Sequence, residues 1–311
     1  MSHTPPYDGV FVRRLLRWFP NKDRVSLRLL RTSKEVAVFE AIMRNLRLSS
    51  GVFRTTFPGR FAELDRFVTA KMTARFPREA PIEVHDWAAS DCLTSAEWAA
   101  LLFDAFPNGR LHASDLSLFL IEIERPDGGA FILERGGEAL QYVKWPFVVD
   151  LNGPAPRRLQ TLLEEIRSRV RIPPEWLDSR DDAISLPPFT ARKLWMIHPK
   201  AEAFRRRDQR FSIERHSAFE SLAEPAHVIR SMNIYNPGYF EPARLAEGAK
   251  AVWRSLHTGG WWIVGRTWRE EPPASNVSIF EKDESGFRVV NRFGEGSEIE
   301  APILDGTYAI Y

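Results

Sequence analysis

The sequence predicts an α/β protein: a mostly parallel sheet of seven strands with an antiparallel C-terminal hairpin, preceded by an N-terminal helical region. Three observations predict it. Up to about residue 80, apolar residues recur at three- and four-residue spacing, the period of a helix. After "FPREAP" the rhythm changes to short apolar runs alternating with amphipathic segments, as in βαβ units. The last of these runs, "NVSIFEKDESGFRVVNRFG", is two extended stretches joined by a turn.

The elements follow in order. "VSLRLLRTSKEVAVFEAIMRNLRL" and "GRFAELDRFVTAKMTARF" read as helices, and the two prolines of "FPREAP" end the pattern. "PIEVHDWA" is the first strand. "TSAEWAALLFDAF" is the helix after it, with Thr94 or Ser95 as N-cap and Thr94 with Glu97 at capping-box spacing. "FPNGRLHASDL" supplies a turn and the second strand. In "AFILERGGEALQYVKWPFVVDL", Gly136 and Gly137 join two extended runs in a hairpin-like excursion. "RRLQTLLEEIRSRV" is a helix, and residues 172–190 read as a proline-containing loop. "RFSIERHSAF" and "AHVIRSMNIY" are the third and fourth strands. "EPARLAEGAKAVWRSLHTGG" is a helix ended by glycine, and "WWIVGRT" the fifth strand. The expected division is a helical region over residues 1–79 and an α/β domain over 80–311.

Composition narrows the function. The 311 residues carry 43 basic and 41 acidic side chains. So even a balance argues against a general nucleic-acid binder, which neutralises phosphates with a strong basic excess. The charge is uneven, however: the first 34 residues hold eight Arg and Lys against Asp8 and Asp23. This basic arm suits an acidic partner, an anionic surface or a second copy of the chain, and equally a helix with a solvated basic face. The single cysteine, Cys92, excludes intramolecular disulfides and cysteine-rich zinc sites, so a reducing, cytoplasmic setting is expected. No stretch has the length and apolarity of a membrane span, and no signal-peptide core opens the chain. The seven histidines show no metal-ligand spacing, and no glycine cluster is followed by Lys-Ser/Thr, so neither a metal site nor a phosphate loop is expected.

Four separated pieces should meet at the carboxyl ends of the parallel strands, where open α/β sheets bind ligands. They are the turn after Asp86, the carboxylate Asp115 ending the second strand, "HSAF" after the third, and "MNIYNPGYF" after the fourth. Together they resemble the Rossmann-like class I S-adenosylmethionine (SAM)-dependent methyltransferases, and within them the chemotaxis-receptor glutamate methyltransferases. The resemblance covers roughly residues 50–293. "FRTTFPGRFAEL" is similar to that family's Phe-Arg segment, and "VWRSLHTGGWWIVGRT" resembles its glycine-pair feature before the fifth strand.

The resemblance implies SAM as cofactor and methyl transfer by in-line displacement to a small-molecule or carboxylate-bearing acceptor, or to an acidic protein. Asp86, Ala88 and Ser90 would run beside its amino acid half. Asp115 would accept hydrogen bonds from the ribose hydroxyls, and Leu116 would pack near the adenine. Ser217 and Ala218 would flank that ring, and Asn233 would lie close to the sulfonium. Arg54 would fix an anionic acceptor, while His216, His198 or Tyr235 would take its proton if it carries one.

Plainer roles fit the same side chains: a satisfied strand-end His216, a local hydrogen bond at His198, an ion pair at Arg54, a cap at Asp86, a turn at Asn233. The chain departs from the family where Ala88, Ala89 and Ser90 replace glycines, a change of little cost if the local φ stays negative. That departure leaves two rival readings open. One is SAM chemistry of another kind, aminocarboxypropyl transfer or ring closure; the other is a catalytically degenerate fold acting as a binding or scaffold subunit.

Overall fold

The computed structural model describes residues 25–33, 35–51, 54, 56–153, 156–268 and 274–306. The chain forms two compact units, Met1–Thr55 with Phe119–Met196, and Thr56–Leu118 with Ile197–Tyr311. A boundary at residue 79 and these units divide the chain at different places. The elements begin with helices α1 (Leu29–Thr32), α2 (Val36–Asn45) and α3 (Ala62–Arg75). Strand β1 (Glu83–Trp87), helix α4 (Leu93–Ala105) and strand β2 (Arg110–Asp115) follow. Next come β3 (Phe119–Glu124), β4 (Ala130–Leu133), β5 (Ala139–Lys144) and β6 (Phe147–Asp150). Helices α5 (Arg157–Arg169) and α6 (Pro174–Asp178) precede β7 (Ala183–Leu186) and β8 (Phe189–Trp195). The chain continues through α7 (Pro199–Arg207), β9 (Phe211–Arg215), β10 (Ala226–Met232) and α8 (Pro242–Ser255). It closes with β11 (Leu256–Trp268), β12 (Ala274–Lys282), β13 (Phe287–Phe293) and α9 (Glu300–Leu304).

The second unit carries the expected sheet. Its order is β13-β12-β11-β10-β1-β2-β9, parallel from β11 to β9 and antiparallel across β11, β12 and β13. Period-two alternation explains its two buried faces. Val84, Leu111, Ala113 and Val228 pack with Val68 and Met72 of α3 and with Leu102 and Phe103 of α4. Trp87, Ile229, Trp262 and Phe280 point the other way, onto Leu245, Ala249 and Val252 of α8. Full burial of one such side chain, Leu102 for example, contributes about 2 kcal/mol.

Helix α4 starts differently from the sequence expectation. Neither Thr94 nor Ser95 caps it; Cys92 is the N-cap residue, at φ 63°, and Leu93 N–H donates to Asp91 Oδ1 at 3.0 Å. Ser95 is diverted because its hydroxyl donates to Asp86 Oδ2 at 2.5 Å, and Glu97 instead accepts from Gly59 N–H at 3.0 Å.

The first unit holds an antiparallel sheet, ordered β6-β5-β4-β3-β8-β7. One of its faces carries Leu120, Ile132, Leu140 and Leu194, packed with Phe39, Ile42 and Met43 of α2. Glu122, fully buried on β3, is neutralised by Arg28 and Arg31. The hairpin at Gly136 and Gly137 is present as β4 and β5, with Gly137 at φ 93°. It belongs to six strands rather than standing alone. The loop expected over 172–190 is in fact α6, β7 and the start of β8. Pro174 misled the reading because proline is tolerated at the first position of a helix, where no N–H is needed.

Candidate functional site

In the second unit β1 lies between β10 and β2; the connection after β1 runs to β2 and that after β10 runs the other way to β11, so the carboxyl ends of these two neighbours form the switch point where open sheets bind ligands. The turn that follows has positive φ at alternate residues: 57° at Ala88, 58° at Ser90 and 63° at Cys92. The condition under which Ala88 and Ser90 would replace glycine at little cost, a negative local φ, is therefore not met. Left-handed backbone at a residue with a Cβ costs about 1–2 kcal/mol, so these are positions where glycine would be easier. The turn is held by Ala89 N–H donating to Ser114 O at 2.9 Å and by Ser90 N–H donating to Asp115 Oδ2 at 2.9 Å. Asp115 Oδ1 accepts from Ser117 N–H at 3.0 Å. Ala88→Gly, which removes one methyl, is expected to raise stability by about 0.5–1 kcal/mol. A urea midpoint equal to or below the parent's would show that the turn is unstrained.

The other predicted residues gather around this turn in part. Leu116, beside Asp115, is 54% exposed, an apolar side chain facing water at the strand end. His216 N–H donates to Asp115 O at 3.3 Å, and the His216 ring lies 4.8 Å from that of Trp87. His216 Nε2 is buried without a hydrogen-bond partner among the described residues. Burial pushes its pKa below the ordinary value, against the upward pull of Glu214 and Glu220, so the ring is neutral near pH 7. Ser217 Oγ accepts from Phe219 N–H at 3.3 Å. Asn233, at φ 63°, joins β10 to β11: its N–H donates to Gly265 O at 2.9 Å, and its Oδ1 accepts from Thr267 N–H at 2.8 Å.

Two side chains have other tasks. Tyr235 is buried and donates to Ala218 O, and its ring fits against α8 at Gly248, where a Cβ would come within 2.3 Å of Cε1. Burial pushes its hydroxyl well above the ordinary range, so it is a packed donor rather than a base. Asp86 is committed to an ion pair: Arg230 Nε donates to Oδ1 at 2.9 Å and Nη2 to Oδ2 at 2.5 Å. Oδ2 also accepts from the Ser95 hydroxyl, so both oxygens are occupied.

That pair is part of a buried cluster the sequence reading missed. Arg230 on β10 also donates from Nη1 to Asp65 Oδ1 of α3 at 2.5 Å. Its guanidinium lies over the rings of Trp98 at 4.3 Å and Phe61 at 5.3 Å. The signal was present: an arginine within the apolar run "AHVIRSMNI" must be paired if the strand is buried. Two carboxylates share one guanidinium, with Glu97 of α4 also near. Burial, opposed by Arg230 and reinforced by Asp86 and Glu97, pushes Asp65 up to about 7. The folded protein thus keeps a proton that the unfolded chain releases near pH 4. Stability is expected to be full below pH 4 with respect to this group and to fall as pH rises to 7, by on the order of 4 kcal/mol. Urea midpoints across this range, for the parent against Asp65→Asn, check it; parallel curves would assign the dependence elsewhere.

The remaining expectations fall elsewhere. Arg54 belongs to the other unit, is buried, and its N–H donates to Leu46 O at 3.3 Å. His198 caps α7 by accepting from Lys200 N–H at Nδ1, 3.1 Å away. Most of the basic arm, residues 1–24, lies outside the described residues. Among the described residues no cluster of His, Cys, Asp and Glu could hold a metal ion, and no helix is long and apolar enough to cross a membrane. A cavity of about 470 Å³ lies in the first unit, lined by Arg47, Ser49, Asn152, Leu159, Leu163 and Arg167 among others; it includes none of the strand-end residues.

No family model matches the chain, and no curated protein matches it. Solved structures similar to it include the citrinin polyketide synthase CMeT domain, 9% identical over 79% of this chain and 43% of that one, with a TM-score of 0.34. They include the sugar N-methyltransferase KedS8 from Streptoalloteichus sp, 12% identical over 76% of this chain and 74% of that one, with a TM-score of 0.32. An O-methyltransferase family protein from Burkholderia thailandensis is 10% identical over 76% of this chain and 43% of that one, with a TM-score of 0.31. The chain spans less than half the length of several solved chains that it matches.

Proposed function

We propose that the second unit binds S-adenosylmethionine and transfers its methyl group to a small-molecule or carboxylate-bearing acceptor. The observation that carries this reading is the coupling of the turn after β1 to the carboxylate ending β2, through Ser90 N–H and Asp115 Oδ2. The fit is good on the sugar side and poor on the other. A carboxylate has about four acceptor sites, so Asp115 can take backbone donors and ribose hydroxyls together. Asp86, by contrast, is committed to Arg230.

SAM supplies a methyl group on a sulfonium, which an acceptor displaces in line, so the protein has mainly to orient the two. In this reading Asp115 holds the ribose, while Leu116, Ser217 and Ala218 border the adenine. The turn from Ala88 to Ser90 borders the amino acid half, and Asn233 fixes the end of β10. His216, neutral and near Asp115, is the group able to take a proton from a hydroxyl or ammonium acceptor. Arg54 as an anchor for an anionic acceptor, and kinship with the chemotaxis-receptor glutamate methyltransferases, rest on the sequence motifs alone. The cytoplasmic setting rests on the single cysteine, and the docking of an acidic partner on the charge of the basic arm.

Calorimetric titration with SAM and S-adenosylhomocysteine tests the proposal, and product analysis identifies the bond broken. Release of S-adenosylhomocysteine supports methyl transfer; methylthioadenosine would replace it with aminocarboxypropyl chemistry. A second reading, a binding or scaffold subunit, is favoured by the commitment of Asp86 and by the absence of glycine from a turn of positive φ. It expects no heat and no thermal shift with either nucleoside.

A further inference from the structure

The sheet face opposite α4 and α7 carries a row of polar side chains across three strands. His85 of β1, His112 of β2 and Ser212 of β9 are register partners, and Glu83 lies two residues before His85 on the same face. His112 Nδ1 is 2.7 Å from Ser212 Oγ, and His112 Nε2 is 2.9 Å from Glu83 Oε2. We propose that Ser212, His112 and Glu83 form a nucleophile, base and carboxylate relay that accepts acyl groups from small esters, an activity independent of methyl transfer.

The chemistry of the contacts fixes the direction of the relay. An ionised carboxylate only accepts, so Nε2 of His112 carries the hydrogen that Glu83 receives. In the neutral ring Nδ1 then holds a lone pair, and the Ser212 hydroxyl donates to it. This is the arrangement in which a serine is activated: nucleophile on base, base oriented by a third group. His85 stacks on the His112 ring, with centroids 4.6 Å apart and planes 23° from parallel, which restrains its rotation. Burial first, then the neighbouring His112 and His216, push His85 down to about 3, so it adds no charge to the relay. The side chains of His112 and Glu83 are 26% and 33% exposed, and Ser212 is half-buried, so a small molecule can reach them. Arg110, the register partner of Glu83, has its Nη1 3.8 Å from Glu83 Oε1, so the relay's carboxylate has a cation beside it.

In the acylation step Ser212 Oγ bonds to the carbonyl carbon and its proton passes to His112 Nδ1. The alkoxide leaves with the shared electron pair and takes that proton as alcohol. Water then attacks the acyl-serine, giving its proton to His112, which returns it to Ser212 Oγ as the carboxylic acid departs. The sum is ester plus water to acid plus alcohol.

The test is labelling of the full chain with a fluorophosphonate probe, with mass mapping of the modified residue, and hydrolysis of p-nitrophenyl acetate. Label on Ser212 is expected, absent in Ser212→Ala, and slowed about a hundredfold in His112→Asn, the usual loss on removing a general base. The rate should rise with pH along a single ionisation that His112→Asn abolishes, a change a merely structural histidine would not make. Absence of label on Ser212, or equal labelling rates for parent and His112→Asn, overturns the proposal. Should circular dichroism show Ser212→Ala unfolded, Ser212→Cys with iodoacetamide decides: alkylation below the ordinary thiol pH range supports the relay, and an ordinary thiol profile removes it. SAM titration of the same samples reads the methyl-transfer proposal separately.

Discussion

Arg230→Met is expected to lower stability by about 3–5 kcal/mol, the loss seen when one partner of a buried ion cluster is removed. The guanidinium is wholly buried and is the shared cation of Asp65 and Asp86, so its removal leaves two carboxyl groups facing each other in the core. At least one must then take up a proton, and their remaining lone pairs lose charge-assisted donors. Urea unfolding at pH 7 measures the loss. The triple variant Asp65→Asn, Asp86→Asn, Arg230→Met should recover more than half of it, because replacing a whole buried cluster costs less than breaking it. An Arg230→Met midpoint within 1 kcal/mol of the parent's would show that the cluster does not hold α3 to the sheet.

Asp115→Ala is expected to weaken SAM binding more than tenfold, about 1.4 kcal/mol or more, on loss of charge-assisted bonds to the ribose. The same change frees Ser90 N–H and Ser117 N–H, so the turn itself loosens. Asp115→Asn separates the two effects, since its amide oxygen still accepts from a backbone donor while the charge is gone. Affinities from calorimetry, compared at temperatures where each variant is folded, give the result. Equal affinity in Asp115→Ala would take Asp115 out of the site.

Much of the second unit was legible because its signals are local. Alternating apolar residues in "PIEVHDW" and "AHVIRSM", and the helical period of "PARLAEGAKAVWRS", each mark one element, and the structure places β1, β10 and α8 there. The six-stranded sheet was not legible as a unit. Only the run holding β4, β5 and β6 was visible, as a hairpin; β7 and the start of β8 read as loop, and pairing of β3 with β8 joins residues about seventy apart, which no local pattern records. The parallel rhythm before and after it also invited a continuous reading across residues 119–196. The strand-end site was half legible. Asp115 stood out as a charge ending an apolar strand, whereas the commitment of Asp86 depends on Arg230, 144 residues later. The positive φ of Ala88, Ser90 and Cys92 was hidden because none is glycine, the residue that ordinarily advertises such backbone.

The chain passes between its two units three times, after residues 55, 118 and 196. No single cut or truncation therefore yields either one whole. During synthesis on the ribosome the antiparallel sheet has all its strands once residue 195 has emerged, while the parallel sheet then owns only β1 and β2. Those two must wait, with unpaired edges, for five strands still to be made, which makes the nascent chain a client for chaperones over that interval.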